Sequence, residues 1–248
     1  MDRPISQLGA IDQYESAASS VYHGMTVSLH KRMSKGVYFR LAYTWAHAID
    51  NGQDALLAGS PATVQNSYST KSERGPSVTD QRHRLTVSAT GEPNPFAPEQ
   101  RVLAGIFDHW KISGITTYGS GRPANASVSG DPNQDGNTNN DRLSKYGRNA
   151  LLGPDYATTD VRLSRKIDLS ARYHLELMAE SFNLLNRDNK KYGIADTGFY
   201  NSAGRFVKYS QSAGGTYYPA YYQQPTSFMK ATSAFAPRQT QFSMRLNF

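Results

Sequence analysis

Apolar and polar residues alternate strictly along several short stretches of the chain. In the last stretch, QFSMRLNF, the apolar positions are Phe242, Met244, Leu246 and Phe248. Successive side chains of a β-strand point to opposite sides, so this alternation predicts strands with one apolar and one polar face. Seven such strands are predicted, at Gly24–His30, Val37–Trp45, Arg84–Gly91, Trp110–Gly119, Thr158–Ile167, Tyr173–Asn183 and Gln241–Phe248.

The connections between these strands alternate between short and long. The shorter ones are Met33–Gly36, Glu92–Arg101 and Asp168–Arg172, and the long polar ones are Ala48–Gln81, Ser120–Asp155 and Arg187–Pro237. Long loops argue against a compact soluble domain, whereas outer-membrane barrels have short periplasmic turns and long outer loops. The pattern therefore predicts an all-β, antiparallel up-and-down meander of about seven transmembrane strands.

The polar positions carry full charges, among them Arg40, Arg162, Glu176 and Glu180, and such residues suit a wet lumen. The apolar positions are expected on the lipid face: Met25, Val27, Leu29, Phe39, Leu41, Val161, Leu163, Leu175, Leu177, Met244 and Leu246. Aromatic residues near strand ends are typical of the girdles at membrane interfaces. Those residues are Tyr43, Trp45, Trp110, Tyr118 and Tyr173.

The amino-acid composition excludes further classes of protein. Hydrophobic residues make up 38% of the chain, and no run approaches the roughly 18 apolar residues of a spanning helix, which excludes a helical membrane protein. The absence of cysteine excludes disulfides and thiolate metal sites. The net charge of +7 is scattered, so we expect turn and rim charges and no nucleic-acid partner. The first residues show no signal peptide, although an outer-membrane location is predicted.

The end of the chain is unusual for a soluble domain, whose terminus commonly frays into small polar residues. Alternating residues that finish on a terminal aromatic resemble the signal read by the barrel-assembly machinery. Phe242, Met244, Leu246 and Phe248 are the positions of that predicted assembly signal. With the short links on the periplasmic side, the seventh strand runs inward and Phe248 ends in the periplasm.

A set of stretches resembles the TonB-dependent outer-membrane transporters, specifically the Oar-like group. These stretches are YHGMTVSLHKRMSKGVYFRLAYTWAHAID, DQRHRLTVSA, WKISGITTYGSGRP, DPNQDGNTNNDR, LSRKIDL, HLELMAESFNLLNR, QPTS and APRQTQFSMRLNF. They span nearly the whole chain from Tyr22 onward. The resemblance implies an uptake receptor for an unidentified substrate, with outer-membrane lipid and the barrel-assembly machinery as partners.

The chain departs from that family in strand number. Transporters of this kind have about 22 strands, and even the smallest single-chain barrels have about eight. Nothing in the sequence looks like a plug, so contact with the TonB system is expected only through a missing plug. Residues 1–21 are accordingly predicted to be a remnant of an extracellular loop, and residues 22–248 the C-terminal portion of the barrel.

No motif predicts catalysis. The chain has no G-x-S-x-G, G-x-G-x-x-G, P-loop or H-E-x-x-H sequence. Glu176 and Glu180 lie four residues apart in one strand, about 13 Å by strand rise, which exceeds the carboxylate spacing of glycosidases. We expect no enzyme activity and no cofactor other than a cation.

The cation candidate is the loop DPNQDGNTNND. Oxygen-bearing side chains at alternate positions, followed by Gly136, reproduce the first half of an EF-hand-type calcium loop. The candidate ligands are Asp131, Asn133, Asp135, Asn137, Asn139 and Asp141. The twelfth position is Arg142 where an EF-hand has glutamate. An ordinary turn-rich surface loop that binds nothing is the alternative.

A second function is compatible with the sequence. The tyrosine-rich segment Tyr209–Pro225 could belong to a soluble β-rich carbohydrate-binding or adhesion module, because aromatic loops stack on sugars. A soluble module would be produced without detergent, whereas a piece of a barrel would not.

Overall fold

Seven long strands form one antiparallel sheet. The computed structural model describes residues 16–52, 64–66, 69–93, 108–125, 142, 146–191, 209–211, 217–219, 229–231 and 233–248. The long strands are β1 (Ser20–Ser34), β2 (Val37–Asp50), β3 (His83–Gly91), β4 (Trp110–Gly119), β5 (Tyr156–Asp168), β6 (His174–Phe182) and β7 (Gln239–Asn247). Each corresponds to one predicted strand.

The strands pair in sequence order, each antiparallel to the next, so the predicted meander is confirmed. Three of them are longer than the seven to ten residues that alternate in the sequence. β1 has 15 residues, β2 has 14 and β5 has 13. Their extra length lies mainly toward the long loops, where backbone pairing continues although the apolar alternation has weakened. β1 also begins at Ser20, inside the segment predicted to be a loop remnant.

The short connections lie together at one edge of the sheet, which we call the turn end. Between β1 and β2 the turn consists of Lys35 and Gly36, whose φ angles are 51° and 71°. Two consecutive positive φ angles are typical of the tight hairpin turn that matches strand twist. A Cβ atom at Gly36 would lie 2.4 Å from the carbonyl oxygen of Glu92, so the position requires glycine.

The other well-described turn joins β5 to β6. The amide of Leu169 donates to the carbonyl of Tyr173 at 3.0 Å, and the Ser170 hydroxyl accepts from the Tyr173 amide at 3.1 Å. Most of the connection between β3 and β4 lies outside the described residues.

The opposite edge, which we call the loop end, carries the long connections and only short elements. These are the 3-10 helix Thr70–Glu73 and the short strands Gly75–Pro76, Pro123–Ala124, Leu151–Leu152, Lys190–Lys191, Tyr209–Gln211, Tyr217–Pro219 and Ser233–Ala234. Gly75–Pro76 pairs with the end of β2, and the other short strands pair with one another. None of the helices in the described part of the chain is long and apolar enough to cross a membrane.

The sheet has almost no hydrophobic core. Among the described residues, Ala46 is the only buried hydrophobic one, and apart from Gly119 and Pro123 the other buried residues are polar or charged. Large apolar side chains of the sheet are exposed instead, for example Met244 at 71%. No described strand pairs with the outer edge of β1 or of β7. The fold is therefore an open sheet that has not closed on itself.

Candidate functional site

The strand register sorts the sheet into two chemically different faces. Residues paired directly across antiparallel strands lie on the same face. Leu41 pairs with Leu29 on one side and Val87 on the other. Following such pairs through all seven strands puts every predicted lipid-facing position on one face, which confirms that part of the prediction. We call this side the apolar face and the other the polar face.

Aromatic residues lie toward both ends of the apolar face. Trp110 starts β4 at the turn end, with the guanidinium of Arg165 5.4 Å from the centre of its ring. Tyr118 lies eight residues further along the same strand, about 27 Å away by strand rise. Tyr43 is also on this face near the loop end, and its hydroxyl lies 2.8 Å from Nδ1 of His83. This spacing matches the apolar band of about 25 Å between aromatic girdles in membrane barrels.

Arg40, Arg162, Glu176 and Glu180 lie on the polar face, as predicted, whereas Arg165 and Lys31 lie toward the turn end of the apolar face. The Nε atom of Arg162 donates to Glu180 at 2.5 Å, and the Gln241 amide donates to the other oxygen of that carboxylate at 2.6 Å. Hydroxyl groups meet across neighbouring strands, with Thr26 and Thr44 3.0 Å apart. This network ties β5, β6 and β7 together on a side that is suited to water.

Glu176 and Glu180 do not act as a pair. Both lie on the polar face of β6, but Glu180 is bonded to Arg162 and Gln241. Glu176 lies between Lys166 and Arg245 in the strand register. Each carboxylate therefore has its own cationic surroundings, and the two are not poised over a shared reactant.

At the loop end, Glu73 and Arg142 form a buried ion pair that joins two long loops. Nη1 of Arg142 donates to one carboxylate oxygen of Glu73 at 2.9 Å, and Nη2 donates to the other at 2.8 Å. The backbone amide of Gln65 donates to the same carboxylate at 2.9 Å. Both side chains of the ion pair are almost fully buried. A two-pronged contact of this kind is among the strongest ionic hydrogen bonds in proteins.

A second arginine extends the junction to the sheet. Nη1 of Arg148 contacts the carboxylate of Asp50 and donates to the Asp50 carbonyl at 3.1 Å and to the Glu73 carbonyl at 3.2 Å. Asn149 is anchored too, since its side-chain amide donates to the Pro76 carbonyl at 2.7 Å. We call Asp50, Glu73, Arg142 and Arg148 the loop brace.

The brace shifts the ionisation of Glu73. Burial by itself would raise the pKa of this carboxyl group. Hydrogen bonds from Arg142 and Gln65, with the positive charges of Arg142 and Arg148, outweigh burial and lower its pKa below the ordinary value of 4.5. Glu73 is therefore ionised at neutral pH, and the brace is a pair of salt bridges.

The sequence carries no local signal for the loop brace. Its partners are 69 residues apart for Glu73 and Arg142, and 98 apart for Asp50 and Arg148. They lie in polar stretches or at a strand end, without periodicity. No local pattern could have paired them.

The candidate calcium ligands, Asp131 to Asp141, lie outside the described residues, so that site stays a prediction. Its two flanks are described. The Asn125 side-chain oxygen accepts from the Asn149 amide at 2.7 Å, and Arg142 is held by Glu73. Within the described part of the chain, no group of three or more His, Cys, Asp or Glu residues is arranged to hold a metal ion.

The predicted assembly signal lies on the last strand. Phe242, Met244 and Leu246 of β7 are on the apolar face, opposite Ala179, Leu177 and Leu175 of β6. Phe248 follows the strand at the turn end and is 84% exposed. The geometry is compatible with the signal, which itself stays a prediction.

Comparison with known proteins identifies a family for this chain. The family described as "Outer membrane beta barrel domain" matches residues 1–146 of the 248 residues, which is more than half of the chain. No curated protein and no solved structure matches the chain significantly.

Proposed function

Because the chain belongs to the outer membrane beta barrel domain family, we propose that it forms part of the wall of a transport barrel in the outer membrane. One observation carries this proposal. The sheet exposes a continuous apolar face and a charged opposite face, with only one buried hydrophobic residue in the described part of the chain. In water that apolar face would need a cover, whereas in a barrel wall lipid covers it and the lumen hydrates the other face.

The finer proposal is that the chain is the C-terminal barrel portion of a TonB-dependent receptor of the Oar-like group, taking part in substrate uptake and inactive by itself. The family-like stretches along the sequence support it, as does a sheet of seven long strands with two unpaired edges. The turn end would face the periplasm and the loop end the exterior. Its partners would be outer-membrane lipid and the barrel-assembly machinery, with the TonB system reached only through a plug. The proposed role is not enzymatic.

The soluble carbohydrate-binding or adhesion module is the competing function. Much of its tyrosine-rich segment lies outside the described residues. The exposed apolar face favours the membrane function. In a soluble protein, an apolar face that extends over a whole sheet would be an aggregation liability.

Fractionation of the exported protein in a Gram-negative host tests the general proposal. We expect it in the outer-membrane fraction, released by detergent but not by alkaline carbonate. Folded barrel is recognised by a gel mobility that changes on heating. A folded protein recovered in the soluble fraction would contradict the membrane function and favour the soluble module.

The finer proposal has a separate test. The reading frame upstream of Met1 in the genomic DNA is expected to encode a plug domain and the preceding barrel strands. An upstream region without any such coding sequence would rule out the receptor fragment while leaving the outer-membrane assignment intact.

A further inference from the structure

The polar face carries two cations without an ion-pair partner among the described residues. The side chains of Arg40 and Arg84 lie on this face and make no hydrogen bond or ion pair within the described part of the chain. Arg40 and Arg84 are exposed and lie on adjacent strands, β2 and β3. Lys166 and Arg245 also lie on this face near the turn end, where both are paired with Glu176 in the strand register.

The carboxylates of the same face are already engaged. Asp160 accepts hydrogen bonds from the Thr158 hydroxyl at 2.9 Å and from the Asn183 amide at 2.8 Å. Glu180 is bonded to Arg162 and Gln241, and Glu176 lies between two cations. At the two strand ends, Asp50 contacts Arg148 and Asp168 contacts His174. The neutral donors leave the negative charge of Asp160 in place, but Asp160 lies three strands away from Arg40 along the same row, so the charge around Arg40 and Arg84 is positive.

We propose that this face attracts anions, so that the substrate class of the barrel is a small solute bearing carboxylate or phosphate groups. The inference rests on the proposed function, in which the polar face lines a water-filled lumen. A wall with excess charge of one sign raises the local concentration of solutes of the other sign. Arg84 would be the first of the two cations that an entering solute meets, because it lies at the loop end of β3, whereas Arg40 lies nearer the turn end of β2.

A single cysteine between the two arginines can measure this potential. Thr86 is on the polar face of β3, two residues after Arg84 and diagonal to Arg40, and the natural chain has no cysteine. In a Thr86→Cys variant, folded in outer-membrane preparations, the reaction rates of an anionic sulfonate and a cationic trimethylammonium thiol reagent are compared. Each rate is divided by the rate at which the same reagent reacts with a free small thiol.

We expect the anionic reagent to react about tenfold faster, because two unit charges within about 8 Å act on the two reagents in opposite directions. Adding Arg40→Gln/Arg84→Gln should bring the ratio close to one, and Arg40→Lys/Arg84→Lys should preserve it. Removal of two distant exposed cations, Arg172→Gln/Lys230→Gln, is the control for net charge and should leave the ratio unchanged.

The outcomes separate the two levels of the proposal. Reaction with both reagents at a ratio that Arg40→Gln/Arg84→Gln does not alter would overturn the anion preference and leave the water-lined wall standing. Reaction with neither reagent would show a dry or covered polar face, and would overturn the proposed function and the substrate class together.

Discussion

At the scale of single residues, Glu73 is the side chain on which the loop end depends. Its side chain is buried and accepts hydrogen bonds from Nη1 and Nη2 of Arg142. Its backbone carbonyl accepts a hydrogen bond from Arg148. Breaking a buried ion pair by removing one partner costs about 3–5 kcal/mol, because the other charge stays buried without compensation. The Glu73 carboxylate is therefore the ionic contact between the two loops, beside the hydrogen bonds from Asn149 to Pro76 and from Arg148 to the Glu73 carbonyl.

We predict that Glu73→Gln loosens the loop brace without unfolding the sheet. Amide hydrogen exchange should become faster around Arg148 and Asn149, while exchange in β5 and β6 stays slow. Lys71→Gln, an exposed change in the same short helix, is the matched control and should have no effect. Equal exchange in the two variants would show that the ion pair does not stabilise the loops.

The lowered pKa of Glu73 predicts a dependence on pH with a defined sign. A depressed folded-state pKa contributes stability that is complete above the ordinary value of 4.5 and is lost as the pH falls through the depressed value. Exchange protection of the brace should be constant at neutral pH and decline in acid below that value. In Glu73→Gln this acid transition should be missing, and its persistence would assign the transition to another group.

For the candidate calcium loop we predict weak calcium binding, by residues that lie outside the described part of the chain. If Asp131 and Asp135 are ligands, calorimetry should detect calcium binding with a dissociation constant on the order of 10⁻⁴–10⁻³ M, as in extracellular calcium modules. Asp131→Ala/Asp135→Ala should abolish the heat signal. No signal at millimolar calcium, or one that the double variant preserves, would remove the site.

At the scale of elements, β5 offers a test of the two faces. Leu163 lies near the middle of the strand on the apolar face, between Ile112 and Ala179. Leu163→Arg should lower the free energy of unfolding by about 2–4 kcal/mol, the cost of arginine at the bilayer midplane. Met178→Arg is the control on the polar face, where Ser164 and Ser243 are the paired neighbours, and it should cost far less. Equal costs in denaturant titrations would contradict the assignment of the faces.

Strand β7 is the second structural element for which we make a prediction. If Phe248 belongs to an assembly signal, its deletion should reduce the heat-modifiable, folded form in the outer membrane while total synthesis stays the same. Phe248→Tyr keeps the terminal aromatic ring and should assemble normally. Normal assembly of the deletion variant would show that the terminal residue is not read.

At the scale of the molecule, the two free edges run in the same direction. An odd number of strands in an antiparallel meander makes β1 and β7 parallel to each other. Direct closure of the sheet would therefore create a parallel seam, whereas bacterial barrels of this kind are antiparallel throughout and have an even number of strands. The two edges also differ in length, with 15 residues in β1 and 9 in β7. If the described sheet is part of such a barrel, an odd number of further strands would complete the wall.

Cysteine cross-linking tests this closure. In the folded protein, Ser28→Cys/Ser243→Cys should not form an internal disulfide, because the β1 and β7 edges would each face another strand. Thr26→Cys/Thr44→Cys is the positive control, since those hydroxyls lie 3.0 Å apart across β1 and β2. An efficient disulfide between positions 28 and 243 would show that the seven strands close directly.

The sequence by itself determined the strands and their two faces. Alternation is a local property with a period of two, so Val161 and Leu163 identify their own strand and their shared face without any knowledge of neighbours. The order of the meander followed because strands that are consecutive in the chain commonly pair with each other in an antiparallel sheet. Strand ends were predicted less well, as in β1 and β2, because backbone pairing extends beyond the residues that alternate.

Only the tertiary structure decided which polar groups meet. Glu73 and Arg142 lie in loops that the sequence marks only as long and polar, and the sheet brings those loops together across 69 residues of chain. The same holds for the contrast between Arg162, which pairs with Glu180, and Arg40, which has no ion-pair partner among the described residues. The physical reason is that alternation assigns a side chain to a face by its own position in the strand. Pairing and burial depend on register, loop path and distance between groups far apart in the chain.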